Sequence, residues 1–334
     1  MSRRLLTTAL LLALCMTARP AMAELTLRIA RPLDLTALPL LVMQHDHLIE
    51  RVAEAMGLGA VTVEWRAPDE ARPALEALAA RQTDIAVVDL APLLAAADAA
   101  DPASGEVRGL AALAQRPYVL VSRKNSVHTI RDFTAADRIA VPALKISGPA
   151  VALEMAAALE WGPEHYDKLD RLVVARADAA AAAALLSGKG EITAHFSRAP
   201  YSDDELDNEG VHRVMDSFDI AGPHSVVVLA TTKKLRDASP MLCAAILSAL
   251  QQADDFIRDH RGEAAEMYAG MVKEGDIPLE DLADMIGDPD LAYRAAPAGV
   301  MRLADFMHRV GRLKHRPEHW QDFFLPEARD LKGN

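Results

Sequence analysis

The chain has 334 residues, a formal net charge of −12 and a composition that is 51% hydrophobic and 25% charged. That length is ample for two packed domains, and the excess of acid argues against nucleic acid or an anionic membrane surface as partner. There are two cysteines, Cys15 and Cys243, too few for a disulfide framework to carry the fold.

At the N-terminus, Ser2-Arg3-Arg4, the apolar run Leu5 to Met16 and the small-residue site Ala21-Met22-Ala23 have the three-part layout of a secretory signal peptide. A leader over residues 1–23 is expected, with the mature chain starting near Glu24. Its removal takes away Arg3, Arg4 and Arg19 and no acid, which moves the formal charge from −12 to −15 and leaves Cys243 alone. Leu14 stands before Cys15 where a lipid-anchor site wants a small residue. No later segment reaches the roughly 18 uninterrupted apolar residues of a membrane helix. The expected product is soluble, exported and monomeric, with no direct membrane insertion.

Leu25 to Ala30 alternates as a strand, with Leu25, Leu27 and Ile29 on one face. Thr36 is a plausible N-cap for one helix running through Leu38, Leu41, Val42, His45, Leu48, Ile49 and Val52. Val61 to Trp65 reads as a strand and Glu70 to Arg81 as a helix. Asp84-Ile85-Ala86-Val87-Val88 is a near-continuous apolar strand of the kind covered on both faces, and Asp89 caps the helix after it. Leu110 to Gln115 and Tyr118 to Ser122 are two further strands, separated by Arg116-Pro117.

A second α/β set follows. Arg138 to Val141 is a strand, Pro149 to Trp161 a helix, Leu169 to Ala175 a strand and Asp178 to Ser187 an alanine-rich helix stopped by Gly188. Glu191 to Ala194 then reads as a short strand delivering His195 and Phe196 into a loop closed by Pro200. Ser225 to Ala230 is an apolar strand that needs a sheet to enter, and the remaining chain is helical. The expected layout is α/β: one discontinuous lobe from residues 24–124 plus 219–334, enclosing a second lobe at 125–218. The chain then crosses between lobes twice, an arrangement suited to a hinge.

In open α/β sheets, ligands sit outside the carboxyl ends of the strands. The helix starts at Thr36, at Asp89 and at Ser147-Gly148-Pro149 are expected there, each offering free amides and the positive end of a helix dipole. His195 with Phe196 forms a candidate recognition pair, and His224 could close the cleft near the hinge. Lys145, Arg198, Arg31 and Arg116 could each pair with an oxyanion; of these, Lys145 is taken as the candidate. Each position also has an ordinary structural reading, as a cap, a core phenylalanine or a solvated cation.

Eleven histidines invite a metal reading, but His45 and His47 lie two residues apart, on different sides of a helix, and Pro317 interrupts the pair His315 and His319. No metal and no cofactor are expected. No nucleophile with its base, and no phosphate-binding glycine motif, can be assembled, so no catalytic residue is assigned.

Five segments together resemble the periplasmic solute-binding proteins of ABC importers, in the nitrate, sulfonate and taurine group that includes thiamine-precursor binders. They are T-D-I-A-V-V-D-L-A-P-L-L (83–94), R-I-A-V-P (138–142), A-A-L-L-S-G-K-G-E-I-T-A-H-F (183–196), V-L-A-T-T-K-K-L (228–235) and F-M-H-R-V-G-R-L-K-H-R-P-E-H-W-Q-D-F-F (306–324). The resemblance implies a type II two-lobed binding-protein fold that closes on one small, anionic or heteroaromatic solute and hands it to an inner-membrane permease. Carried over by position, ligand contacts would fall at Thr36, Asp89, Ser147, Gly148, His195, Phe196 and His224. Two other functions share that fold: an enzyme of the thiamine-pyrimidine-synthesis type, whose cysteine-rich motif this chain lacks, and a ligand-sensing periplasmic receptor.

Overall fold

Strand β1 (Leu25–Ala30) buries Leu27 and Ile29 and turns Thr26 and Arg28 outward, so its alternation decides which face meets the core. These observations come from a computed structural model that describes residues 25–67, 73–99, 106–272 and 277–334. The leader expected at 1–23 lies outside the described residues, as does part of the helix expected from Glu70.

After β1 the chain forms a single 3₁₀ turn, Leu35–Ala37, then helices α1 (Leu38–His45) and α2 (Leu48–Ala55). One continuous helix was expected. It breaks because His47 adopts a left-handed backbone, φ 51°, which redirects α2 so that Leu48, Ile49 and Ala53 face the core. Strands β2 (Val61–Arg66) and β3 (Ile85–Asp89) flank β1 in parallel, with helix α3 (Ala74–Ala79) between them in sequence. Helix α4 (Leu90–Ala99) leads to β4 (Val107–Gln115).

Arg116-Pro117 then carries the chain into the second sheet. That sheet is made of β5 (Val119–Ser122), β6 (Ile139–Val141), β7 (Val173–Ala175), β8 (Ala194–Ser197) and β9 (His212–Asp216), in the order β7-β6-β8-β5-β9. Its helices are α5 (Gly148–Trp161), α6 (Asp178–Ser187), α7 (Tyr201–Leu206) and α8 (Ser217–Ala221). Gly188 stops α6 with φ 67°, the left-handed conformation that only glycine adopts cheaply.

The boundary expected at 124/125 is corrected by this pairing. β5 is hydrogen-bonded on both sides within the second sheet, to β8 and β9, so the crossing precedes Tyr118. The return crossing runs from α8 through Gly222-Pro223-His224, close to the expected 218/219.

Returning, β10 (Ser225–Thr232) inserts antiparallel between β3 and β4 and completes the first sheet, β11-β4-β10-β3-β1-β2, whose last member is β11 (Ala292–Tyr293). Helices α9 (Lys233–Ala238), α10 (Pro240–Asp259), α11 (Arg261–Val272), α12 (Leu279–Ile286) and α13 (Val300–Arg309) follow β10. Helix α10 packs with α1 and α2 on one face of this sheet through Leu242, Ile246, Ala249 and Leu250. On the opposite face lie α4, α13 and the Trp320–Phe324 segment. There Gly109 is obligatory, because a Cβ would come within 2.5 Å of the Phe324 ring. Truncating a core leucine of either layer should cost about 2–5 kcal/mol.

The second apolar layer also contains Val151 and Met155 of α5, a helix of the other lobe. The lobes therefore share apolar contact as well as two chain crossings. No helix among the described residues is long and apolar enough to cross a membrane.

Candidate functional site

The carboxyl ends of β3 and β4 meet the second lobe along one seam, through Asp89 and through Arg116 just past β4. Asp89 ends β3, and its carboxylate accepts a hydrogen bond from Arg198 of the loop after β8, Nη1 to Oδ1 2.6 Å. Each lobe thus supplies one charge, and both side chains are about four-fifths covered, at 22% and 23% exposure. The Asp89 charge holds the Arg198 guanidinium well above its ordinary pKa, against the opposing effect of burial. A second bridge runs from Arg116 Nη2 to Asp203 Oδ2, 2.7 Å, and a third pairs Arg312 with Glu154 of α5. Desolvation still keeps the Glu154 carboxyl above the usual carboxylate range, despite Arg312.

Tyr118, the first residue past the crossing, stands at the middle of this seam. Its ring packs so closely over Gly148 that a Cβ there would lie 2.2 Å from the hydroxyl oxygen. Burial first, and then the charge of Asp89, push the phenol above its ordinary pKa. Tyr118 lines a small cavity of about 20 Å³ with Leu90, Gly148, His224, Ser225 and Leu303, about the volume one water occupies.

His224 faces this cavity as a neutral ring. Its Nδ1 donates to the Gly222 carbonyl at 2.9 Å, and its Nε2 accepts from Ser217 Oγ at 3.3 Å. Ser217 Oγ in turn accepts from the Tyr118 amide at 2.8 Å. Burial is the main cause holding the imidazole pKa below its usual value. The ring centroid of His224 lies 5.7 Å from that of Tyr118 and 5.2 Å from that of Phe218, forming an aromatic wall at the return crossing.

The structure therefore brings Asp89, Gly148 and His224 to the seam. Ser147 lies beside it as the cap of α5: its hydroxyl donates to the Ala143 carbonyl at 2.6 Å and accepts from the Ala150 amide, which leaves it occupied. Thr36 is not a cap. Asp34 caps the 3₁₀ turn by accepting from the Thr36 amide at 2.9 Å and from its hydroxyl at 2.5 Å. Lys145 points away from the seam: its side chain is 63% exposed and its Nζ lies 3.7 Å from Asp170. It borders a separate apolar pocket of about 50 Å³ with Leu144, Leu153, Tyr166 and Leu169.

His195 and Phe196 do not enter the cleft as a pair. The strand is shifted toward the C-terminus of the expected span and contains both residues, and adjacent residues on a strand point to opposite faces. His195 turns toward α6 and α7, where it is fully buried and held by Glu205 Oε1 at 2.7 Å and Asp178 Oδ1 at 3.3 Å. Phe196 turns the other way and is also fully buried. It supports the Tyr118 ring edge-on at 6.4 Å and does not itself reach the cavity.

Arg198 and Arg116, which the sequence reading weighs and sets aside for Lys145, do reach the seam, and Tyr118 is a seam residue that it does not consider. Arg198 directly follows a strand, and Arg116 and Tyr118 flank the Pro117 crossing, positions where side chains meet a cleft. Among the described residues no three His, Cys, Asp or Glu side chains converge as metal ligands. Cys243 is buried, and desolvation raises its thiol pKa to about 12, far from a reactive thiolate.

No protein-family model and no curated protein sequence matches this chain. Solved structures do match over nearly its whole length. The periplasmic aliphatic sulphonate binding protein SsuA of Escherichia coli is 17% identical, with a TM-score of 0.65 covering 90% of this chain and 99% of that one. The alkanesulfonate-binding protein SsuA of Xanthomonas axonopodis pv. citri, bound to MOPS, is 17% identical at a TM-score of 0.62, covering 88% and 96%. The periplasmic nitrate-binding protein NrtA of Synechocystis PCC 6803 is 13% identical at 0.65, covering 87% and 83%. With two mixed α/β sheets, two crossings and a helical C-terminal segment, the chain has the two-lobed type II periplasmic-binding-protein fold.

Proposed function

We propose that this protein is the solute-binding component of an ABC importer. It captures one small polar solute between its lobes and passes it to a permease in the inner membrane. The observation that carries the reading is the seam itself: strand ends of both sheets converge there, and opposite charges from the two lobes, Asp89 and Arg198, meet across it at 2.6 Å. Structural neighbours whose names are periplasmic sulphonate- and nitrate-binding proteins support it. Residues 1–23 act in this reading as the export signal, and the mature protein works in the periplasm as a monomer.

Asp89, Arg198, Arg116, Tyr118, Gly148 and His224 are the proposed contacts. In this reading binding proceeds without turnover: no nucleophile with its base is assembled in the sequence, and His195 is sealed between two carboxylates.

A thermal-shift screen of small solutes, followed by small-angle scattering on each hit, tests this. A true ligand at a hundredfold excess over its dissociation constant should stabilise the protein by about 2.7 kcal/mol. It should also reduce the radius of gyration and be recovered chemically unchanged. A hit that is converted to product, or that binds equally well after Arg198→Ala and Gly148→Ala, overturns the reading.

A further inference from the structure

We infer that the first lobe holds a second binding site, separate from the seam, which takes a small organic oxyanion with an apolar body. The site is a groove of about 730 Å³ between α10, the C-terminal end of α12 and the segment 291–296. It shares no lining residue with Asp89, Arg198, Arg116, Tyr118, Gly148 or His224. Its volume falls in the range of small-molecule pockets, roughly 300–1,000 Å³, whereas the cavity beside Tyr118 has room for about 20 Å³.

Helical spacing builds the first wall. Gln251, Asp254, Asp255 and Arg258 recur at intervals of three and four, which places them on one face of α10, and Arg261, the first residue of α11, lines the same groove. Beneath them Ile257, Ile286, Leu291 and Ala295 are buried and give the groove an apolar floor. The Arg261 guanidinium lies against Gly287, where a side chain would have no room. Gly287 caps the C-terminus of α12, so the helix dipole there favours a cation and keeps Arg261 at the groove's end.

The balance of charge decides the class of solute. Arg258 is already neutralised, because its Nη1 donates to Asp255 Oδ1 at 2.6 Å and its Nε to Asp259 Oδ1 at 3.0 Å. Arg261 and Arg294 form no ion pair and no side-chain hydrogen bond among the described residues, in a chain with 48 acidic and 36 basic side chains. The acid in the floor is Asp254, 9% exposed, with one carboxylate oxygen unpartnered. Burial lifts that carboxyl to about 8, against the Ala295 amide and the charges of Arg258 and Arg294, so near neutral pH it is mostly protonated and adds little negative charge. An oxyanion entering the groove meets two unpaired guanidiniums, whose N–H forks match carboxylate and phosphate, and it breaks no existing pair. A cation meets repulsion from both. The apolar floor favours an anion that carries a ring or a short chain over a bare inorganic one.

Calorimetry with phenyl phosphate, benzoate, inorganic phosphate and benzylamine tests this on the native protein, on an Arg261→Gln/Arg294→Gln double variant and on Arg198→Ala. Phenyl phosphate should bind the native protein about tenfold or more tighter than inorganic phosphate, the effect of taking one ring out of water. Benzoate should bind as well, and benzylamine should give no heat. The double variant should weaken both aromatic anions by about tenfold for each arginine removed, while Arg198→Ala leaves them within about twofold of native. The two replaced arginines are exposed, and a melting transition for each variant shows that it is folded. Anion binding that survives in the double variant overturns the inference; if the same binding disappears in Arg198→Ala, the anion sits at the seam and solute capture there is supported instead. Benzylamine binding as tightly as phenyl phosphate, or no response of the native protein to either aromatic anion, overturns it too. Failure of solute capture at the seam leaves the groove standing, because the two sites share no residue.

Discussion

Glu205 Oε1 lies 2.7 Å from His195 Nδ1 with both side chains fully withdrawn from solvent, and Asp178 closes on the opposite ring nitrogen at 3.3 Å. A ring donating from both nitrogens is an imidazolium, so the second lobe holds a buried cation between α6 and α7. Burial opposes that charge, but the hydrogen bonds to Asp178 and Glu205 outweigh it and raise the pKa to about 9. The folded pKa exceeds the unfolded one, so the contribution to stability is complete below about pH 6.5 and is lost as pH rises toward 9. His195→Gln should destabilise the protein by about 3–5 kcal/mol near pH 6, because it leaves Glu205 uncompensated. Denaturant unfolding at pH 6 and at pH 9.5 should show the gap between native and variant narrowing at the higher pH. Affinity for any cleft ligand should change little in the folded variant; complete loss of binding would restore His195 to the site.

What the sequence made legible here were features governed by local rules. The stop at Gly188, the Ser147 cap and the doubly covered strand before Asp89 all follow from a few neighbouring residues. What it hid depends on distance or on parity. A shift of β8 by a few residues along the chain puts His195 and Phe196 within the strand, and a period of two then separates them onto opposite faces. β5 alternates equally well for either sheet, and only its partners β8 and β9 decide. Lys145 and Arg198 are alike in the sequence, both cations in loops, and only packing shows that the first meets Asp170 and the second Asp89.

Asp254 of α10 is a second buried charge site, and its pH dependence has the opposite origin. One carboxylate oxygen has no hydrogen-bond partner, and desolvation raises the pKa to about 8 although the Ala295 amide donates to the group. The folded state therefore holds a proton that the unfolded state gives up near pH 4, so stability drains as pH rises from about 4 to about 8. Asp254→Asn removes that drain. The variant should gain about 1–3 kcal/mol over the native protein at pH 8, with the gain shrinking toward pH 4. A gap that does not change with pH, read from parallel denaturation curves, would contradict the assignment.

Arg116 and Asp203 form an interlobe bridge at 2.7 Å with Arg116 almost covered and Asp203 about one-third exposed, 8% and 36%. Partial exposure limits its strength to about 1 kcal/mol or less, which is still enough to shift an open–closed ratio severalfold. Asp203→Asn should enlarge the radius of gyration of the unliganded protein in small-angle scattering, and it should weaken ligand binding by a comparable factor through the lost closed population. High salt should produce a similar expansion in the native protein and a smaller one in the variant. Identical scattering from both proteins at low and high salt would mean the bridge does not govern closure.

Gly148 offers the sharpest test of the cavity, because the space its missing side chain would fill is occupied by Tyr118. A Cβ at 148 would lie 2.2 Å from the Tyr118 oxygen and 2.4 Å from the ring carbon that bears it, inside any tolerated contact. Neither atom can retreat easily, since Phe196 supports the ring edge-on at 6.4 Å and the Ser217 hydroxyl holds the Tyr118 amide at 2.8 Å. Gly148→Ala should therefore cost about 1–3 kcal/mol of stability and push the phenol toward the cavity shared with His224, reducing ligand affinity. Tyr118→Phe gives no relief, because the ring carbons collide as well. Tyr118→Ala removes them, so the double variant should be less destabilised than the sum of the two single changes, a coupling that a double-mutant cycle reads directly. Strict additivity in both stability and affinity would mean that the two residues do not meet in solution, and that Tyr118 does not wall the cleft.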